Sequence, residues 1–319
     1  MVANGHHWCP NLPEFPGEFW GKSMHSHHYK TPEGMEDKNI LVVGIGNSAC
    51  DIACETSRIA KQTFVSTRQG AHVTPKYILG RPLDTYGTPS MAYLPLWLQR
   101  LLFKSLLFVA RGSQSSYGFP TPKHPFLSEH PTISSDVLNL VGHGKIKMKP
   151  NLTQLKGDRV RFADGTEEQI DAIIYATGYK VSFPFFDLSL INSKENEIPL
   201  YKRVVHPEHP NLYFIGLLQP LGAIMPLAEL QSQWVAELLE GKVGLPCKEA
   251  MKRDIEKDRE AIYKRYVNSK RHTMQVDFYP YVAQVKKEMK QGRLRPPRQA
   301  LTQFVEEPQA DANLTQSAR

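Results

Sequence analysis

LVVGIGNSACDIA, Leu41 to Ala53, decides the fold class of this chain. The run from Asn39 to Val43 predicts a strand, GIGNSA a tight turn, Cys50 to Gln62 a helix, and Thr63 to Ser66 a second strand. Together they make a βαβ unit of ordinary length. The turn carries Gly44, Gly46 and Ala49 as GxGxxA between strand and helix. Gly44 permits the tight turn, Gly46 lets the backbone approach a pyrophosphate, and Ala49 keeps the helix close to its strand. The helix N-terminus adds unpaired N–H groups and a partial positive charge, with Asn47 and Ser48 in its first turn as further candidate donors. A bare glycine pattern can be a structural turn; the flanking strand and helix favour phosphate binding.

The second strand decides which dinucleotide. An NAD site places Asp or Glu about 20 residues on, where it binds the ribose hydroxyls and repels a 2′-phosphate. This strand ends instead in Ser66, Thr67 and Arg68. Two hydroxyl donors and a guanidinium suit a phosphate dianion, so NADPH is the expected ligand.

The chain has 319 residues, 41% of them hydrophobic, which allows a sizeable core. Its net charge of +7 is spread along the sequence rather than gathered in a stripe, which argues against a nucleic-acid partner. Cys9, Cys50, Cys54 and Cys247 form no CxxC pair, so neither disulfides nor a zinc site are expected, and a reducing compartment fits best. No signal peptide and no membrane-spanning run is present, so the expected location is cytoplasmic or peripheral on a cytosol-facing membrane. MVANGHHWCP reads like the end of a strand that begins upstream, and the N-terminus is expected to be truncated.

Residues 2–34, rich in Pro, Gly and His, read as an ordered irregular connection. Leu94 to Ala110 reads as one helix with two uses: a core helix, which is favoured, or a peripheral membrane contact with Arg100 and Lys104 reaching headgroups. Lys145 to Asp171 reads as short strands with a turn at Asp164 and Gly165, Ala172 to Ala176 as a buried strand, and Leu212 to Ile215 as another. Leu227 to Leu239 has helical spacing; Lys248 to Arg298 is charged and partly helical.

Ahead of the glycine turn, FWGKSMHSHHY sets Phe19, Gly21, His25 and Tyr29 in the pattern FxGxxxHxxxY. With GIGNSACDIA, with IIYATGY (Ala176, Thr177 and Gly178), and with NLYFIGLLQPLGAIMP from Asn211 to Pro226, it resembles the flavin-containing monooxygenases from residue 2 to about residue 280.

The resemblance implies an α/β fold in which a Rossmann-like NADPH-binding domain is inserted in a Rossmann-like FAD domain, incomplete here. Its divisions are residues 1–34 as linker and FAD-domain remnant, 35–171 as NADPH domain, 172–240 as the returning FAD part, 241–305 as a C-terminal helical segment, and 306–319 as a disordered tail. His25 and Tyr29 should hold the domain junction. The alternative, a metal site from His6, His7, His25, His27 and His28, is set aside because the fingerprint already uses His25. Gln219 is the polar residue expected beside the flavin ring. The family's first glycine turn, which cradles the FAD pyrophosphate, has no counterpart before residue 44, and its active-site asparagine is carried over to no position, so the catalytic residues stay unknown. Without the flavin segment, the strand at Ala172 to Ala176 should lose sheet neighbours and leave apolar surface exposed.

The implied chemistry is hydride transfer from NADPH to FAD, capture of O2 as a C4a-hydroperoxide, and oxygen transfer to a small lipophilic amine or sulfide. Two alternatives stand: a non-catalytic NADP(H)-binding remnant, and a Baeyer–Villiger monooxygenase, against which Tyr29 followed by Lys30 counts.

Overall fold

The computed structural model describes residues 1–187, 191, 198–266 and 273–296. Its main sheet is five-stranded and parallel throughout: β1 (Lys22–His25), β2 (Asn39–Val43), β3 (Gln62–Ser66), β4 (Ile146–Lys149) and β5 (Ala172–Tyr175), in the spatial order β4-β3-β2-β5-β1. Parallel strands need covered faces, and both are covered. Ile40 and Val42 of β2 point to one side, against Ala49, Cys50 and Ala53 of α1 (Asn47–Thr56). Leu41 and Val43 alternate to the other side, against Leu152, Val160 and Phe162. Those residues belong to a second sheet of Gly17–Phe19, Leu152–Gly157, Arg159–Phe162 and Glu167–Gln169, whose last hairpin turns at Asp164 and Gly165 as expected.

From β2 the chain runs through α1 to β3 and onward to β4, whereas β5 returns on the opposite side of β2. The strand order therefore reverses between β2 and β5, and in open α/β sheets the carboxyl ends of the strands at such a reversal are where a ligand crevice forms.

Residues 70–134 form an excursion between β3 and β4 that contains α2 (Leu96–Arg111), and α3 (Val137–Gly142) leads from it into β4. The C-terminal part packs α4 (Met225–Leu239) and α6 (Phe278–Gly292) around buried Trp234, Tyr281 and Val285, with α5 (Lys248–Arg265) alongside.

Several expectations are corrected. The first helix ends at Thr56, not Gln62, because the Thr56 hydroxyl donates back to the carbonyl of Ile52 and Ser57 to that of Cys54, competing with helical propagation. Residues 2–34 are not irregular throughout. Lys22–His25 is the edge strand β1, hidden from hydrophobic patterning because its first two residues are exposed and its one buried residue is His25. The pairing thus crosses the boundaries drawn at 34 and 171. Ala172–Tyr175 loses no neighbours, since β2 and β1 flank it and all four residues are buried. Leu212 to Ile215 forms isolated bridges, Phe214 with Val2 and Tyr213 with Val205, rather than a strand. The core reading of 94–110 also fails: in α2 only Leu107 is buried, while Trp97 and Phe108 are each 66% exposed. Arg100 does not reach outward either; it donates to the Phe126 carbonyl and the Ser128 hydroxyl. The tail at 306–319 lies outside the described residues.

Among the described residues no helix is long and apolar enough to cross a membrane, and no group of three or more His, Cys, Asp or Glu is arranged to hold a metal.

Candidate dinucleotide site

The crevice is lined by the glycine turn. The Gly44 amide donates to the Ser66 carbonyl at 2.9 Å, and the Ala176 amide to the Val43 carbonyl at 2.8 Å, so β2 is clamped from both sides as it ends. Gly44 has φ +129°, and a Cβ there would lie 2.3 Å from the Ala176 carbonyl oxygen. Glycine is required at this position by the fold. Gly46 differs, since its φ of −75° and ψ of −177° are open to any residue. It stands at the N-cap of α1, whose first helical bond runs from Cys50 to the Gly46 carbonyl. The amides of Asn47, Ser48 and Ala49 precede that bond and have no helical acceptor. No side chain caps this end and no acidic residue stands in its first turn, which leaves the positive end of the helix open to an anion.

Ser48 is exposed and Ala49 fully buried. Asn47 is also exposed, yet its Oδ1 accepts the Ile133 amide at 2.8 Å. Its side-chain oxygen is thereby engaged by the returning end of the excursion, a use that its position in the turn did not reveal.

At the end of β3 the three proposed 2′-phosphate ligands part ways. Ser66 is buried; its hydroxyl donates to the Pro150 carbonyl at 2.8 Å and accepts the Leu152 amide at 2.9 Å. Those bonds splice β3 to the following sheet and leave the hydroxyl no part in binding ligand. Thr67 turns its hydroxyl onto the Gln69 carbonyl, closing the bend after the strand. Arg68 is exposed and carries no hydrogen bond or ion pair among the described residues. It remains the cation available to a phosphate.

The fingerprint residues gather beside the same crevice. His25 is buried; its Nδ1 accepts the His27 amide at 3.1 Å, so Nε2 carries the proton and donates to the Gly178 carbonyl at 3.0 Å. Burial holds its pKa below the ordinary histidine value. Tyr29 donates to Glu55 of α1 at 2.9 Å, and burial, followed by this carboxylate, raises its pKa. Gly21 is fixed by contact, since a Cβ would fall 2.4 Å from the Asp171 carbonyl and 2.6 Å from the Phe19 ring. The pattern thus ties β1 to the AlaThrGly loop and to α1. Asn11, which sequence reasoning missed, completes the tie: its carbonyl accepts from the Thr177 hydroxyl and its amide donates to the Gly178 carbonyl. A lone Asn in a Pro-rich stretch carries no periodic signal.

Gln219 does not join this group. It begins a short strand paired with Gln275, and its amide donates to the Met274 carbonyl. Gly216 upstream is held by Gln231 of α4 at 2.8 Å, which bonds Tyr281 of α6 at 2.6 Å.

Comparison with known proteins agrees with this geometry. Residues 1–305 match the flavin-binding monooxygenase-like family. Flavin-containing monooxygenase 5 of Homo sapiens is 42% identical over 296 residues, covering 87% of this chain and 54% of that protein. Dimethylaniline monooxygenase [N-oxide-forming] 2 of Oryctolagus cuniculus is 38% identical, with 89% and 56% covered. The chain thus spans about half the length of these relatives. Among solved structures, S-allyl-L-cysteine S-oxygenase from Allium sativum superposes with a TM-score of 0.59 at 26% identity, covering 91% of this chain and 53% of that one. A steroid monooxygenase bound to NADP shares the fold at 14% identity, with a TM-score of 0.61 and coverages of 91% and 72%. The glycine turn at the strand reversal, the histidine that pins AlaThrGly and the match across 1–305 converge: this chain belongs to the flavin-binding monooxygenase-like family.

Proposed function

We propose that the chain supplies the NADPH-binding part of a flavin- and O2-dependent monooxygenase acting on small lipophilic amines or sulfides. The observation that carries this reading is the uncapped, acid-free N-terminus of α1 at the reversal of strand order, with Arg68 unpaired at the end of the next strand. NADPH fits these residues. The amides of Asn47, Ser48 and Ala49 would receive the pyrophosphate, with Gly46 leaving room for its approach. Arg68 would pair with the 2′-phosphate. His25 would take no part in proton transfer; it fixes the AlaThrGly loop against the turn.

Flavin fits only in part. Gln219 offers one polar group for the ring, but the 319 residues hold no second GxGxxG or GxGxxA turn for its pyrophosphate. In this reading the flavin cradle comes from outside these residues, and bound NADPH supplies the hydride that reduces it. The domain division follows the sheets: 17–25 and 39–175 with NADPH, and the described residues from 176 onward on the flavin side.

The names of two relatives support the substrate class, one forming N-oxides and one an S-oxygenase. The exposed face of α2, with Trp97, Leu101, Phe108 and Val109 beside exposed Lys104, favours a peripheral contact with a cytosol-facing membrane. Titration of the chain with NADPH and NADH tests the cofactor assignment, and equal affinities would overturn it. NADPH-dependent O2 uptake with a tertiary amine or a sulfide, once flavin is bound, tests the reaction.

A further inference from the structure

The excursion of residues 70–134 leaves the sheet just after Arg68 and returns against the glycine turn. Its two ends pair with each other, Val73 with Thr132 and Thr74 with Ile133. At the return, the Thr132 hydroxyl, on a buried residue, donates to the Ile45 carbonyl at 2.8 Å. The Ile133 amide donates to Asn47 Oδ1, also at 2.8 Å. The Ile45 carbonyl and the Gly46 N–H belong to one planar peptide unit and point in opposite directions. Fixing the carbonyl therefore fixes the direction of the N–H. The restraint matters here because Gly46 lacks a Cβ, so nothing in its own side chain opposes rotation of that peptide.

Resting on the NADPH reading above, we propose that Thr132 and Asn47 are positioning residues: they aim the amides of the dinucleotide turn, so that the excursion sets cofactor affinity without touching the cofactor. Thr132 acts on the peptide between Ile45 and Gly46. Asn47 ties the first residue of α1 to the same returning strand. Both act on the turn, which meets the part of the ligand that NADPH and NADH share. Arg68 alone would read the part that differs.

The test compares Thr132→Val, which keeps the shape and removes the hydroxyl, with Thr132→Ser, which keeps the hydroxyl. Dissociation constants for NADPH and NADH are measured by titration of the whole chain, and amide exchange is followed at residues 45–49 without ligand. Loss of one hydrogen bond that orients the turn should weaken both cofactors by the same factor, roughly three- to tenfold, and leave their ratio unchanged. Amide exchange in the turn should quicken, and Thr132→Ser should behave as the original chain. If Thr132→Val does not fold, Asn47→Ala, on an exposed side chain, tests the second tie, read by amide exchange at residues 45–49 without ligand, where unchanged exchange would overturn the proposal. Unaltered affinity, or a loss confined to NADPH, would overturn the proposal. Failure of the unaltered chain to bind either cofactor would instead overturn the NADPH reading on which it rests.

Discussion

The two glycines of the turn should fail in opposite ways when replaced. At Gly44 an alanine Cβ would sit 2.3 Å from the Ala176 carbonyl oxygen, and φ is +129°. That backbone conformation costs a non-glycine residue about 1–3 kcal/mol. Relief of the clash must also separate β2 from the AlaThrGly loop. It puts at risk the bonds from Ala176 to Val43 and from Gly44 to Ser66, at about 1 kcal/mol each. The sum, about 3–5 kcal/mol, is a large share of an ordinary folding free energy of about 5–15 kcal/mol. At about 2–4 °C per kcal/mol for a large domain, Gly44→Ala should melt roughly 6–20 °C below the unaltered chain. Gly46 has φ −75° and no conformational need for glycine, so Gly46→Val should cost little stability. Its side chain would stand where the pyrophosphate approaches, and NADPH affinity should fall at least tenfold. The assay is a thermal melt and an NADPH titration on both variants. Equal melting losses in the two, or unchanged affinity in Gly46→Val, would refute this separation of fold from function.

Arg68→Ala should remove most of the preference for NADPH over NADH, since a charge-assisted bond contributes about 1.5–3 kcal/mol, read as the ratio of two dissociation constants. Ser66→Ala should leave that ratio alone and lower the melting temperature, because its hydroxyl serves the Pro150 carbonyl and the Leu152 amide. Stability should depend on pH through histidines whose folded pKa is depressed by burial: His6, lowered to about 4 by burial and then by His7, and with it His7, His25, His72 and His206. Their contribution is fully present above the unfolded value near 6.5 and is lost as pH falls, so melting temperature should be flat from pH 7 to 8 and decline below 6.5. His6→Phe should shallow that decline between pH 6.5 and 4 by up to one proton's worth, about 1.4 kcal/mol per pH unit, in stability measured by denaturant titration. Trp97→Ser with Phe108→Ser should abolish co-flotation with anionic vesicles while leaving NADPH binding unchanged; equal flotation of both forms would remove α2 from any membrane contact.

The βαβ unit was legible because each of its signals is local. Alternation along β2 sorts Ile40 and Val42 from Leu41 and Val43, and two glycines punctuate the passage to α1. What escaped was set by partners distant in sequence. β1 is Lys-Ser-Met-His, with no apolar pattern; it is a strand because β5, almost 150 residues later, supplies the neighbouring ladder. The misplaced return of the chain at Ala172 has the same cause. A buried parallel strand looks alike whichever sheet receives it, and only the pairing with β2 and β1 assigns it.

The site divides along a similar line, between backbone and side chain. The open N–H groups of α1 follow from the turn and helix themselves, so sequence can locate them without knowing any distant partner. Hydroxyl and amide side chains at the same turn carry no such guarantee, because a polar atom near a ligand site can equally satisfy the fold. Ser66 and Asn47 both went that way: one splices two sheets, and the other holds the returning excursion. Arg68 escaped because it lies exposed at the strand's end, where no buried backbone group needs its donors. At these two positions, then, the fold claims polar atoms before any ligand can: the donor of Ser66 and the acceptor of Asn47. The selectivity for a 2′-phosphate should consequently rest on one exposed guanidinium, so that a single substitution at Arg68 outweighs changes at Ser66 and Thr67 combined.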